Sequence, residues 1–226
     1  MATPYGDLYR SGHERLVTLV RALPAPDLDR SVPACPGWSV RDVVAHLAGL
    51  AVDATSGRLS GIPSDEWTAG QVSDRAGRDL ESVVSEWADG VDAVVAALDA
   101  REMPPNIAMD VLCHEADVVE AVGAPAPPAA GWAPAARSVA SRVVGNLDGP
   151  GTLVVRTPEA EFTGGDGEPT TVDVDGYELW RALFSRRSRA QVRAWDWSGD
   201  PTPWVDHFGV FGPRDDDQPR PPRRRQ

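Results

Sequence analysis

In the segment NIAMDVLCHEADVVEAVG (106–123), Asp110 and His114 stand four residues apart, and Asp117 follows three later. On an α-helix that spacing stacks Asp110 and His114 on one side, about one turn apart. Ile107, Val111, Val118 and Ala121 share the face, so the pattern turns the polar groups toward a core. Burying two aspartates and a histidine there is unfavourable unless something compensates the charge. A divalent metal is the simplest compensation; a buried Asp–His pair joining helices is the alternative. Another histidine lies in CPGWSVRDVVAHLAGL (35–50), where His46 borders the stripe of Val40, Val43, Val44, Leu47 and Ala51. From that border it either faces a cleft between helices or bonds to Asp42 or a nearby backbone group. Two histidines and a carboxylate from two helices form a zinc ligand set that leaves a fourth position for water or substrate. His46, Asp110 and His114 are therefore the candidate metal ligands. Asp117 is placed to orient a ligand histidine, to act as a base or to serve the helix interior. His13, between charges, and His207, in an aromatic stretch, are less suited to ligation.

Bulk composition narrows the chemistry further. All 22 basic residues are arginine, which excludes Schiff-base lysine chemistry and the phosphate-binding P-loop lysine. This usage, with abundant Ala, Pro, Gly, Asp and Val, suggests a GC-rich, actinobacterial genome. A formal net charge of −12 argues against a nucleic-acid partner, since such binding rests on a basic face. The N-terminus lacks the basic and apolar regions of a signal peptide, and no stretch reaches the ~20 apolar residues of a membrane span. A cytoplasmic protein without a membrane partner is expected. There Cys35 and Cys113 are free thiols, and neither belongs to a CxxC pair.

The elements that must position these residues follow from periodicity. Helices are predicted over 7–23, 40–56, 79–98 and 106–123, with a further one near 134–147. Ser39 and Asp42 form a capping box for the second, Asn106 caps the fourth, and Gly123 ends it. After residue 148 the texture changes: TLVVRT, AEFTGG, TTVDVDG and AQVRAWDW read as strands and YELWRALFSRR as a helix. The fold class is α+β, a four-helix bundle over 1–148 followed by a small α+β domain over 149–212. A disordered tail is expected over 213–226, which has no apolar pattern.

CPGWSVRDVVAHLAG resembles the N-terminal signature of the mycothiol-dependent maleylpyruvate isomerase family, related to DinB-like thiol transferase bundles. DVLCHEADVVEAVG resembles its second metal-bearing helix, and DGYELWRALFSRRSRAQVRAWDWSGDP is similar to the C-terminal module that often follows. The resemblance implies a DinB-like bundle in which one helix supplies a histidine and a later one an acidic residue and a histidine four apart, together holding zinc. That pattern falls on His46, Asp110 and His114, with aspartate where the characterised isomerase pattern has glutamate. It also implies a low-molecular-weight thiol, mycothiol, whose sulfur would meet the open metal position and react as thiolate. The implied activity is isomerisation or S-transfer on a small electrophilic metabolite. The implied partners are that substrate and the thiol, in a monomer or homodimer. A substrate with carboxylates would suit a cationic clamp in FSRRSR, where Arg186 aligns best with the family's arginine and Arg187 and Arg189 lie close by; a solvated turn is the alternative. A metal- and ligand-binding sensor of the same fold, without turnover, is the competing function. A third is an α+β module that binds a hydrophobic metabolite.

Overall fold

The computed structural model describes residues 3–59, 64–147 and 149–222. The chain divides into two compact units, one ending at Pro127 and one spanning Pro128–Pro219. In the first, α1 (Tyr5–Ala22), α3 (Val40–Thr55), α5 (Leu80–Asp99) and α6 (Asn106–Val122) form the bundle, with a short α2 (Ala25–Leu28) and α4 (Asp65–Ser73) between them. Helix α3 packs against α4, α5 and α6, and α1 against α5 and α6. Leu16, Val20, Val43, Val44, Leu47, Trp87, Val94 and Val111 meet in one core. Each apolar side chain enclosed this way contributes about 1.5–3 kcal/mol. Exposed pairs such as Arg21–Glu81 contribute about 0–1 kcal/mol, so the apolar stripes decide the packing. Within the core, the Trp87 indole N–H donates to the Tyr9 hydroxyl at 3.0 Å, satisfying the one polar atom the indole brings inside.

Helix α3 begins where the sequence places it: Ser39 accepts from the Asp42 amide, and the Asp42 carboxylate accepts from the Ser39 amide. A tight loop precedes it, closed by Val32 N–H to Trp38 O and Trp38 N–H to Cys35 O. Gly37, at φ +85°, supplies the left-handed residue that this loop needs. Helix α6 ends on Gly123 at φ +69°, the expected C-terminal stop. Its start differs: Pro105 occupies the capping position and Asn106 is already helical, with no side-chain cap.

In the second unit the strands β1 (Thr152–Thr157), β2 (Ala160–Gly164), β3 (Pro169–Asp173) and β4 (Asp196–Trp197) form a sheet in the order β2-β1-β3-β4. The β1 and β3 pair is parallel and the others are antiparallel. Helix α7 (Ala133–Gly145), expected to belong with the bundle, instead packs on β2 and on α8 (Gly176–Leu183). Gly164 permits the close approach there, since a Cβ on it would collide with the Val144 carbonyl. The boundary therefore falls at 127/128 rather than 148.

Two further differences are local. Residues 190–193, read as part of a strand, belong to α9 (Arg189–Arg193), because Ser188 and Gln191 make a capping box. The tail is ordered through residues 214–218: the Arg189 amide donates to the Arg214 carbonyl, and Gln218 is buried with its carbonyl accepting from the Gln191 side chain at 2.7 Å. The last four residues lie outside the described ones. Among the described residues no helix is long and apolar enough to cross a membrane.

The α3–α4 contact leaves no room for a side chain at Gly49, where a Cβ would lie 2.6 Å from the Gln71 Cβ. Gly49→Val is expected to lower stability by about 1–3 kcal/mol through overpacking. Chemical denaturation measures this, and an unchanged midpoint would contradict the contact.

Candidate metal centre

His46 comes from the middle of α3, and Asp110 and His114 from successive turns of α6. The structure brings all three together, with one ligand atom from each within 4.8 Å of the others. His46 Nε2 lies 3.0 Å from Asp110 Oδ2, and His114 Nε2 lies 3.6 Å from Asp110 Oδ1. Each carboxylate oxygen thus faces one imidazole, and the shorter aspartate reaches both. His46 is 4 % exposed and His114 6 %, more enclosed than a position at the border of a stripe implies. The Asp110 side chain, 36 % exposed, forms the mouth.

The Nδ1 atoms are occupied on the other side. His46 Nδ1 lies 2.7 Å from Gln71 Oε1, and His114 Nδ1 lies 3.0 Å from Asp117 Oδ2. Both partners are oxygen acceptors, which suits a proton on each Nδ1; a ring protonated there alone would keep its Nε2 lone pair. Two such lone pairs aimed at a carboxylate would bring three electron-rich groups together. That arrangement fits a divalent cation, and a hydrogen-bonded Nδ1 is the usual support of a metal-bound histidine.

The 31–39 loop completes the surroundings. Trp38 lies over both imidazoles, with ring centroids 5.0 Å from His46 and 6.1 Å from His114. The Cys35 thiol donates to Asp117 Oδ2 at 3.4 Å and lies 3.6 Å from His114 Nδ1. Cys35, His114 and Asp117 thus make a second convergent group, on the far side of the His114 ring. Neither cysteine is in a disulfide. Elsewhere on α6, buried Glu115 takes a two-pronged ion pair from Arg15 at 2.6 and 2.7 Å. Burial pushes its carboxyl above the usual range, and Arg15 opposes this. The Tyr9 hydroxyl is pushed up to about 12 by burial, with the Trp87 hydrogen bond opposing and the Asp110 charge adding.

His13 packs edge-on to Trp87, and its Nε2 has no hydrogen-bond partner among the described residues. Burial lowers its pKa. Arg186 belongs to the second unit, where its Nη1 donates to the Phe184 carbonyl at 2.8 Å. Its neighbours are tied up: Arg187 pairs with Glu178, and Arg189 with Asp206 and Asp215. Sequence reasoning missed Gln71, Asp53, Trp38 and Cys35 as parts of this neighbourhood. Of these, Cys35 and Trp38 lie within the motif that carries His46, so only their closeness to α3 in sequence signals them.

The architecture is that of a helical bundle with a histidine–carboxylate cluster, joined to a small α+β unit. Residues 9–137 match the model described as the mycothiol maleylpyruvate isomerase N-terminal domain, and the chain belongs to that family of thiol-dependent isomerases. Two crystal structures share the fold, those of the mycothiol-dependent maleylpyruvate isomerase and of a histidine-to-alanine variant of it. Each has a TM-score of 0.52 and 14% identity, covering 80% of this chain and 88% of the other. Comparison with curated protein sequences finds no match.

Purified without added metal, the protein is expected to carry about one equivalent of zinc or a similar divalent ion per chain. His46→Ala and His114→Ala should each nearly abolish uptake measured by elemental analysis. Asp110→Asn, which removes the charge and keeps the size, should lower affinity by more than the roughly 10–100-fold typical of an outer partner. Unchanged affinity in Asp110→Asn would remove this carboxylate from the ligand set.

Proposed function

We propose that the protein is a metal- and mycothiol-dependent isomerase or S-transferase acting on a small electrophilic metabolite, with zinc or a similar divalent ion at His46, Asp110 and His114. The observation that carries this reading is the aim of two imidazole Nε2 atoms at the two oxygens of one carboxylate. Family membership adds the thiol. When bound, the ion supplies a Lewis-acidic position that favours the thiolate form of a small thiol.

The chain's own residues prepare that position. Gln71 and Asp117 hold the Nδ1 protons, Asp110 brings negative charge to the mouth, and Trp38 lies over both rings. Thiolate addition to a conjugated double bond, rotation and departure interconvert cis and trans isomers with no net change in composition; retention of the thiol gives the S-conjugate. The Cys35 thiol is bonded to Asp117, which suits a supporting role and leaves the nucleophile to the added thiol. Arg186 is proposed to bind a substrate carboxylate.

Maleylpyruvate, named for the enzyme of similar fold, is the first substrate to try, with and without mycothiol. Products of unchanged mass report isomerisation, and products heavier by the thiol report conjugation. Turnover is expected only with the thiol and is expected to persist when Cys35 and Cys113 are both serine, since a serine hydroxyl also donates to Asp117. Full turnover without thiol would reject the thiolate route, and ligand binding without turnover would favour the sensor. Loss in the double serine variant would move the nucleophile onto the protein. Arg186→Ala is expected to raise KM for a carboxylate substrate roughly 10–100-fold, the worth of a charge-assisted hydrogen bond, and an unchanged KM would remove it from the site.

A further inference from the structure

Gln71 lies on α4, belongs to none of the candidate ligand groups, and is 4 % exposed. Its amide joins His46 to Asp53, and Asp53 in turn accepts from Arg58, in one line of hydrogen bonds. Arg58 reaches Asp53 Oδ1 through Nε at 2.9 Å and Nη2 at 2.8 Å. Gln71 Nε2 donates to Asp53 Oδ2 at 2.7 Å, and Gln71 Oε1 faces His46 Nδ1 at 2.7 Å.

The donor and acceptor inventory leaves one consistent assignment along this line. An ionised Asp53 only accepts, so Gln71 must present its NH2 to it. The amide oxygen then faces His46 and also only accepts, so Nδ1 must carry the proton. Asp53 and Arg58 thereby dictate, two residues away, which nitrogen of His46 keeps a lone pair. A flipped amide would set an N–H against Nδ1 and force the proton onto Nε2, the atom aimed at Asp110. The Gln71 backbone is held as well: its carbonyl accepts from Arg75 at 2.9 Å, and Arg75 is anchored by Glu86. At the outer end, Asp53, Arg58 and Gln71 line a cavity of about 560 Å³ with Glu66, Trp67 and Arg75.

We propose that Gln71 is a positioning residue which, oriented by Asp53, locks His46 in the form protonated at Nδ1 and so sets the affinity of the Nε2 position for metal. The affinity part rests on the metal reading of His46, Asp110 and His114. The tautomer part does not.

Long-range proton–nitrogen NMR of the histidine rings, recorded on the full chain before and after zinc addition, tests the tautomer. Zinc affinity measured against a chromophoric chelator tests the consequence. The wild type is expected to show a hydrogen-bonded Nδ1 proton on His46 in both states. Gln71→Met, close in size but without the acceptor, is expected to weaken zinc binding roughly 10–100-fold with that proton lost to exchange. Asp53→Asn, which lets the amide flip, should act in the same direction without touching His46. Unfolding midpoints confirm that both variants are folded, and the two substitutions check one another. A wild-type His46 protonated only at Nε2, or unchanged zinc affinity in both variants, overturns the proposal. No zinc uptake by a wild type that shows the Nδ1 proton overturns the metal reading instead and supports the tautomer assignment.

Discussion

Two imidazoles can aim lone pairs at the same carboxylate only if their protons are held elsewhere. In this chain the oxygens of Gln71 and Asp117 face the two Nδ1 atoms. Asp117 shares α6 with His114, so a single helix both presents and orients that ring. His46 stands on α3 among apolar neighbours, and its acceptor has to come from another element. The short α4 supplies it, and Gly49 lets α4 come close enough to do so. The two histidines therefore meet different acceptors, a carboxylate at His114 and a neutral amide at His46.

Much of the frame was legible in the sequence. The apolar stripes of the long helices, the Ser39–Asp42 capping box and the Gly123 stop are local signals, and the structure keeps them. The grouping of Asp110, His114 and Asp117 follows from helical spacing, and the pairing with His46 follows from the packing of α3 on α6. What escaped depends on tertiary contact. The α4 segment DEWTAGQVS carries no apolar stripe, so nothing in its pattern announces a helix or a buried glutamine. Asp53 lies near the end of α3 and gains its role only through Gln71. Residues 190–193 read as extended until the Ser188–Gln191 box is given weight. The tail looked free because its anchors are polar, namely Arg214, Asp217 and Gln218 against residues 188–191.

The family assignment and the geometry bear on different parts of the function. Membership brings a small thiol and an isomerase chemistry, while the geometry brings a place where a cation would meet two nitrogens and a carboxylate. The absence of lysine removes Schiff-base chemistry, and the cysteine nearest the site, Cys35, is engaged with Asp117. Each oxygen of Asp110 faces one of the two histidines, so the shorter carboxylate spans both rings.

His114 stands between two convergent groups, His46 and Asp110 on its Nε2 side and Cys35 and Asp117 on its Nδ1 side. Extended X-ray absorption fine structure of the zinc-loaded protein without thiol separates them directly. The account predicts nitrogen and oxygen scatterers at ~2.0–2.1 Å, with the multiple-scattering signature of two imidazoles and no sulfur shell. A sulfur scatterer at ~2.3 Å with a single imidazole would place the ion against Cys35 and Asp117 instead, and would contradict the assignment of His46 and Asp110 as ligands.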